Sequence, residues 1–309
     1  MNLKTVLKDV EFANPLLAAS GTFGFGSEFL RVANRLGGVV TKAVTIDPRA
    51  GNPPPRIAEF CGGIVNSVGL ENPGLEQFKT RLIPKLLKLK CRLIVNIAGF
   101  TPEEFCRLTE ALDEEKITGL ELNLSCPNVC AGGAILGQNP QTVEKITAAV
   151  RKRTRKLLIV KLTANFVDPA ETARAAEAGG ADAVTIINTL FGLVLDDDGK
   201  PLLGGRTGGV SGPAIKPFAL YCVDRVAGAV SIPVIGSGGI VSGRDAFEFI
   251  CAGAKLIEVG TANLIAPDQS LKILTELKAI CRQKRINKLE AVLGKTRRTN
   301  DQTDSGSQC

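Results

Sequence analysis

Glu121-Leu122-Asn123-Leu124-Ser125-Cys126-Pro127-Asn128 is an apolar run that stops in amide, hydroxyl and thiol side chains. A short apolar run bounded by turn residues marks a buried strand. Here the turn carries Asn, Ser, Cys and Asn, and a Gly-rich segment, Ala131-Gly132-Gly133-Ala134, follows. The same grammar recurs along the chain. Residues 15–19 end in Ser20-Gly21-Thr22, and residues 38–41 end in Lys42-Ala43. Residues 93–95 end in Asn96, residues 157–160 in Lys161, and residues 183–187 in Asn188-Thr189. Residues 233–235 end in Gly236-Ser237-Gly238-Gly239, and residues 256–259 in Gly260-Thr261.

With the opening stretch this makes eight short apolar runs, each ending in small or polar residues. Helical patterns fill most gaps, over 103–115, 140–153, 169–178, 214–228, 243–252 and 269–290. Short apolar runs alternating with amphipathic helices predict a parallel sheet, and eight such units predict a closed (β/α)8 TIM barrel. An open doubly wound sheet is the alternative, but Gly24-Phe25-Gly26 lacks the third glycine of a dinucleotide fingerprint. A single domain over residues 1–294 is expected, entered by a hairpin whose arms, 3–7 and 10–12, flank Lys8-Asp9. Residues 295–309 lack apolar periodicity and read as a disordered polar tail. Two Pro- and Gly-rich insertions, 47–72 and 190–212, exceed the minimal unit; long loops on a barrel sit over its active face.

The 309 residues are 44% apolar and 22% charged, an ordinary globular balance, with a net charge of +7. Basic residues crowd the C-terminal end without interleaved aromatics, which argues against a nucleic-acid groove. No apolar stretch approaches a membrane span, and no secretory signal precedes the first strand, so a cytoplasmic location without membrane contact is expected. Nine cysteines without a Cys-x-x-Cys pair are not a disulfide framework. Histidine is absent, which removes Ser-His and Cys-His catalysis and the common zinc sites. No metal site is expected. Acid–base chemistry is left to Cys, Lys, Asp, Glu and Tyr.

In a β/α barrel, polar residues at C-terminal strand ends meet at one mouth. Ser20, Lys42, Asn96, Asn123, Lys161 and Asn188 would share it with the glycines of the last two strands. Each Asn alone could cap a turn, but three of them with two strand-end lysines form a set, because a buried lysine is costly unless paired or facing a ligand. Gly238-Gly239 and Gly260-Thr261 fall after the seventh and eighth strands, where this fold binds phosphate. Phosphate, amides and two lysines in one cavity suit flavin mononucleotide, since a lysine beside the ring stabilises negative charge on its reduced form. Cys126 is the candidate base and Cys130 a rival thiol. Cys61, Cys91, Cys106, Cys222, Cys251 and Cys281 read as packing residues.

Several segments resemble dihydroorotate dehydrogenase motifs. They are Asn123-Leu124-Ser125-Cys126-Pro127-Asn128, Asn66-Ser67-Val68-Gly69-Leu70, Val160-Lys161-Leu162, Ile187-Asn188-Thr189, residues 207–217, and Val259-Gly260-Thr261-Ala262-Asn263. The resemblance runs in order from about residue 3 to about residue 290. Cysteine at 126, where membrane-associated relatives have serine, resembles the class 1 enzymes, and the segment 128–133 is most similar to the class 1B, NAD-linked catalytic subunit.

That resemblance implies oxidation of dihydroorotate to orotate in pyrimidine (UMP) biosynthesis, with a C5 proton passing to Cys126 and a C6 hydride to flavin N5. It implies an FMN site at Ser20, Lys42, Ala43, Asn96, Asn123, Lys161, Ile187, Gly212, Gly238, Gly239, Gly260 and Thr261. It implies a substrate site at Lys42, Asn66, Ser67, Val68, Gly69, Leu70, Asn123, Asn188 and Thr189. It also implies a partner subunit carrying FAD and a 2Fe–2S cluster that passes electrons to NAD, around a homodimeric core within a heterotetramer. This sequence lacks the cysteine spacing of such a cluster. After Lys161 it reads Leu162-Thr163-Ala164-Asn165, where relatives have Ser-Pro-Asn. The alternatives are a class 1A fumarate-linked homodimer, a dihydropyrimidine-type reductase and a non-catalytic flavin-binding barrel.

Overall fold

The computed structural model describes residues 3–125 and 133–300. Its strands in chain order are β1 (Thr5–Leu7), β2 (Val10–Phe12), β3 (Leu16–Ala18), β4 (Gly38–Val40), β5 (Ile57–Phe60), β6 (Gly63–Asn66) and β7 (Arg92–Ile97). They continue as β8 (Gly119–Asn123), β9 (Leu157–Lys161), β10 (Ala183–Ile186), β11 (Leu190–Gly192), β12 (Gly208–Ser211), β13 (Val234–Ser237) and β14 (Ala254–Val259). Eight of them close a parallel barrel in the order β10-β13-β14-β3-β4-β7-β8-β9. Every apolar run read from the sequence is one of these eight.

Alternation along the strands sorts their side chains into two cores. Leu17, Val40, Ile94, Ile159, Ile235 and Leu256 cluster with Leu7 and Phe12 of the hairpin β1–β2. That cluster fills the barrel, and the hairpin plugs its lower end. Neighbouring residues such as Leu16, Val95, Val160 and Ile257 join the helices in the larger core. Phe105 and Phe249, both fully buried there, contribute on the order of 2–3 kcal/mol each from area alone.

The helices begin where local chemistry permits. Thr101 accepts from Glu104 N ahead of the helix Pro102–Asp113, and Asn139 accepts from Thr142 N ahead of Pro140–Arg151. Ser242 and Asp245 cap the helix Gly243–Ala252 reciprocally. Each such cap is worth about 1 kcal/mol, and proline at a first helical position sacrifices no bond.

Three expectations change. The helix expected over 269–290 is Gln269–Gln283, because Arg285 adopts φ 55, a left-handed conformation that ends it. The polar tail begins with a helix, Lys295–Asn300. Arg297 ties it down by donating to Asp224 O and Ala252 O, a side-chain anchor that apolar periodicity does not register. The two insertions are not merely loops. They supply β5, β6, β11 and β12, which form an antiparallel sheet in the order β11-β12-β6-β5. Ala58, Val65 and Leu203 give that sheet a small core of its own.

Candidate active site

The C-terminal ends of the barrel strands open into a cavity of about 1290 Å³ including its mouth. The antiparallel sheet roofs it, with Ile57, Ile64 and Asn66 in its lining.

The cavity has two chemically distinct ends. Gly212, Gly238, Gly239, Gly260 and Thr261 line one. Gly238 and Gly239 have φ 122 and 74, and a Cβ at Gly239 would lie 2.7 Å from Lys216 Cβ and 2.8 Å from Lys216 N. Only glycine lets the backbone take that path against the helix Lys216–Ala227. Thr261 Oγ1 donates to Ser211 Oγ at 2.8 Å, joining barrel to roof. Lys42, Asn66, Asn123, Lys161, Asn188 and Thr189 supply the polar lining elsewhere.

The amides are held in place before any ligand arrives. Asn123 Oδ1 accepts from Ser125 Oγ at 3.2 Å, and Ser125 Oγ accepts from Asn188 Nδ2 at 2.9 Å. Asn66 Nδ2 donates to Gly209 O at 3.2 Å across the β6–β12 pair. Asn165 donates from Nδ2 to Thr189 O and accepts from Phe191 N, fixing the start of β11. Lys42 Nζ donates to Glu71 Oε2 at 3.0 Å. The Lys42 hydrogen bond and charge hold the Glu71 carboxyl below its usual range.

Lys161 sits deeper, 5% exposed. Its Nζ donates to Glu258 Oε2 at 2.8 Å. Burial alone would push this lysine down; the attraction of Glu258 and Glu121 and the Glu258 hydrogen bond outweigh it, and the ammonium is held above the usual lysine range. Glu121 accepts from Asn96 Nδ2 at 2.6 Å and from Thr185 Oγ1 at 2.9 Å. Burial and the nearby Glu121 push Glu258 up to about 8, against the opposing pull of Lys161.

Every residue expected to hold the cofactor lines the cavity except Asn96, and every residue expected to hold substrate does so except Ser67. Asn96 lies behind Glu121, fully buried, and its Oδ1 has no hydrogen-bond partner among the described residues. Ser67 is fully buried and bonded to Asn52 Nδ2. Cys126 and Cys130 lie outside the described residues. Cys106, Cys222 and Cys281 are buried as packing residues, and burial raises their pKa, to about 12 for Cys222. Cys61 departs from that expectation: it is exposed at the β5–β6 turn. Glu121, Glu258, Ser125 and Glu71 carry site geometry that sequence reasoning had not assigned. Only a glutamate inside an apolar strand run, as at 121 and 258, was a signal available in the sequence.

The donor set fits a phosphorylated, amide-bearing ring: backbone N–H groups free of Cβ atoms for the phosphate, and lysine and Asn amides for ring carbonyls and imides. No helix among the described residues is long and apolar enough to cross a membrane.

Comparison with known proteins converges. The dihydroorotate dehydrogenase family model matches residues 2–281. Proteins named dihydroorotate dehydrogenase B (NAD(+)), catalytic subunit, from Alkaliphilus oremlandii and Alkaliphilus metalliredigens are each 48% identical over 297 residues, spanning 95% of this chain and 98% of theirs. One of the same name from Bacteroides fragilis is 46% identical over 277 residues, spanning 88% of this chain and 91% of its own. The crystal structure of DHODH from Eimeria tenella in complex with ferulenol superposes with a TM-score of 0.80 at 25% identity, over 96% of this chain and 89% of that one.

Proposed function

This chain belongs to the dihydroorotate dehydrogenase family, and from that premise we propose that it is the catalytic subunit of an NAD-linked enzyme oxidising dihydroorotate to orotate for pyrimidine biosynthesis. The observation that carries the reading is the cavity itself. Glycine backbone, strand-end lysines and interlocked asparagines meet in one space.

FMN, when bound, supplies the acceptor for the two electrons leaving the substrate. Gly212, Gly238, Gly239, Gly260 and Thr261 would hold its phosphate, and Ser20, Ala43, Ile187 and Lys161 its ring system. Asn66, Asn123, Asn188 and Thr189 present alternating donors and acceptors to a dihydropyrimidine ring. Lys42 adds positive charge for the substrate carboxylate. The sheet over the mouth adds the apolar Ile57 and Ile64 to the lining.

Cys126 is the base: its thiolate Sγ takes the C5 proton. It follows Ser125, whose hydroxyl is shared by Asn123 and Asn188, so the chain leaves β8 from a fixed point. No histidine exists to compete for the role.

The electrons leave through a partner subunit, for which FAD and a 2Fe–2S cluster are the proposed carriers to NAD. A homodimer of this chain as the core of a heterotetramer, and a cytoplasmic location, complete the proposal.

Anaerobic mixing with dihydroorotate tests it. The bound flavin is expected to bleach with dihydroorotate and not with dihydrouracil. Reoxidation by NAD is expected only when the partner subunit is added. Rapid reoxidation of the lone chain by fumarate would assign it to the class 1A type instead.

A further inference from the structure

Beneath the cavity floor, five strands bring together five buried polar side chains. Asn96 (β7), Glu121 (β8), Thr185 (β10) and Glu258 (β14) are fully buried, and Lys161 (β9) is nearly so. Lys161 Nζ bonds Glu258 Oε2 at 2.8 Å. Glu121 receives Asn96 Nδ2 at 2.6 Å and Thr185 Oγ1 at 2.9 Å. Thr185 Oγ1 also lies 3.5 Å from Glu258 Oε1, but one hydroxyl has a single hydrogen, already directed to Glu121. Thr185 Oγ1 thus stands next to a carboxyl oxygen of each glutamate.

Charge counting limits how this cluster can exist. With Lys161 protonated and both carboxyls ionised, a buried excess negative charge would sit under the cavity, which costs several kcal/mol after relaxation. With one proton between the carboxyls the cluster is neutral, and every short contact has a donor and an acceptor.

We propose that Glu121 and Glu258 are a proton-sharing positioning pair that holds Lys161 against the cofactor cavity and sets the charge beneath it. The inference rests on the cofactor reading above and adds a regulator to that site. Neither glutamate lines the cavity, so both act through Lys161. Among the described residues, Glu121 and Lys161 are the charged groups that act on Glu258, from β8 and β9, neither of which pairs with β14. Burial and Glu121 raise Glu258 to about 8, which places loss of the shared proton just above neutrality. Losing it leaves a net negative floor under an anionic cofactor.

FMN binding to the apoprotein, followed by fluorescence from about pH 6 to about pH 10, tests the charge coupling. The wild type is expected to lose affinity above an inflection near pH 8, by up to about tenfold per pH unit. Glu258→Gln and Glu121→Gln keep the shape and remove one charge; each is expected to bind FMN without that inflection. Infrared difference spectra of the apoprotein give a second readout: a protonated carboxyl band at neutral pH, lost in either variant. A profile with the same inflection in both variants, or no protonated buried carboxyl at neutral pH, overturns the proposal. A wild type that takes up no FMN refutes the cofactor reading, while the infrared band still decides the pair.

Discussion

Asn188 Nδ2 and Ser125 Oγ stand 2.9 Å apart, joining the ends of β10 and β8, which are not neighbours in the barrel. The serine hydroxyl uses both its capacities: it accepts from Asn188 and donates to Asn123 Oδ1. Two amides proposed to read the substrate are thereby oriented by one oxygen.

Ser125→Ala removes that oxygen and leaves the half-buried Asn188 amide without this acceptor. The expected stability loss is about 0.5–1.5 kcal/mol. KM for dihydroorotate is expected to rise by roughly tenfold, with FMN retained. Steady-state kinetics with a flavin absorbance count check this; loss of FMN with KM unchanged would assign Ser125 to the cofactor instead.

Cys126→Ala is expected to slow flavin reduction by dihydroorotate by about 10²–10⁴-fold, the worth of a positioned base, while the protein stays yellow. Stopped-flow reduction of the two single variants separates the thiols. A large defect in Cys130→Ala alone would transfer the role to Cys130.

Gly239→Ala places a Cβ 2.7 Å from Lys216 Cβ and 2.9 Å from Gly212 O, at a backbone φ of 74. Both sources of strain act on the loop proposed for the phosphate. FMN affinity is expected to fall more than about tenfold, a loss above about 1.4 kcal/mol. Equilibrium dialysis measures it, and wild-type affinity in a folded variant would remove Gly239 from the phosphate site.

The Glu258 proton links stability to pH. Its folded-state pKa is raised from 4.5 to about 8, so the folded state binds the extra proton between those values. The contribution is fully present below the unfolded pKa and is lost as pH rises through the folded one. Urea midpoints of the apoprotein are expected to fall between about pH 5 and about pH 8, with a smaller decline in Glu258→Gln. A midpoint that rises over this window in the wild type contradicts the assignment.

The barrel was legible because each strand end repeats one local pattern, apolar residues and then small or polar ones. Gly238, Gly239 and Gly260 marked one end of the cavity by the same logic. Glu121 and Glu258 could be read as strand residues, but their partnership depends on register around a closed sheet, which no local window contains. The roof was hidden for a related reason. Residues 57–60 and 63–66 are short, and the second pairs with a segment from the other insertion, so Pro and Gly dominated the reading. The Thr163-Ala164-Asn165 departure is accommodated by bonds that a local motif cannot display: Thr163 Oγ1 accepts from Asn165 N and Nδ2.

The roof also dictates an order of assembly. Asn66 and Gly209 are 143 positions apart in the chain, and contacts of such separation form late, because a long loop must close before they are rewarded. During synthesis the N-terminal strand ends emerge well before β12 does. β14, which closes the barrel against β3, comes later in the chain still, so Lys42 and Asn123 stand in a complete chamber only once both β12 has joined β6 and β14 has joined β3. FMN added during refolding is expected to speed the last of these closures if it binds before them, and to leave it unchanged if capture follows closure.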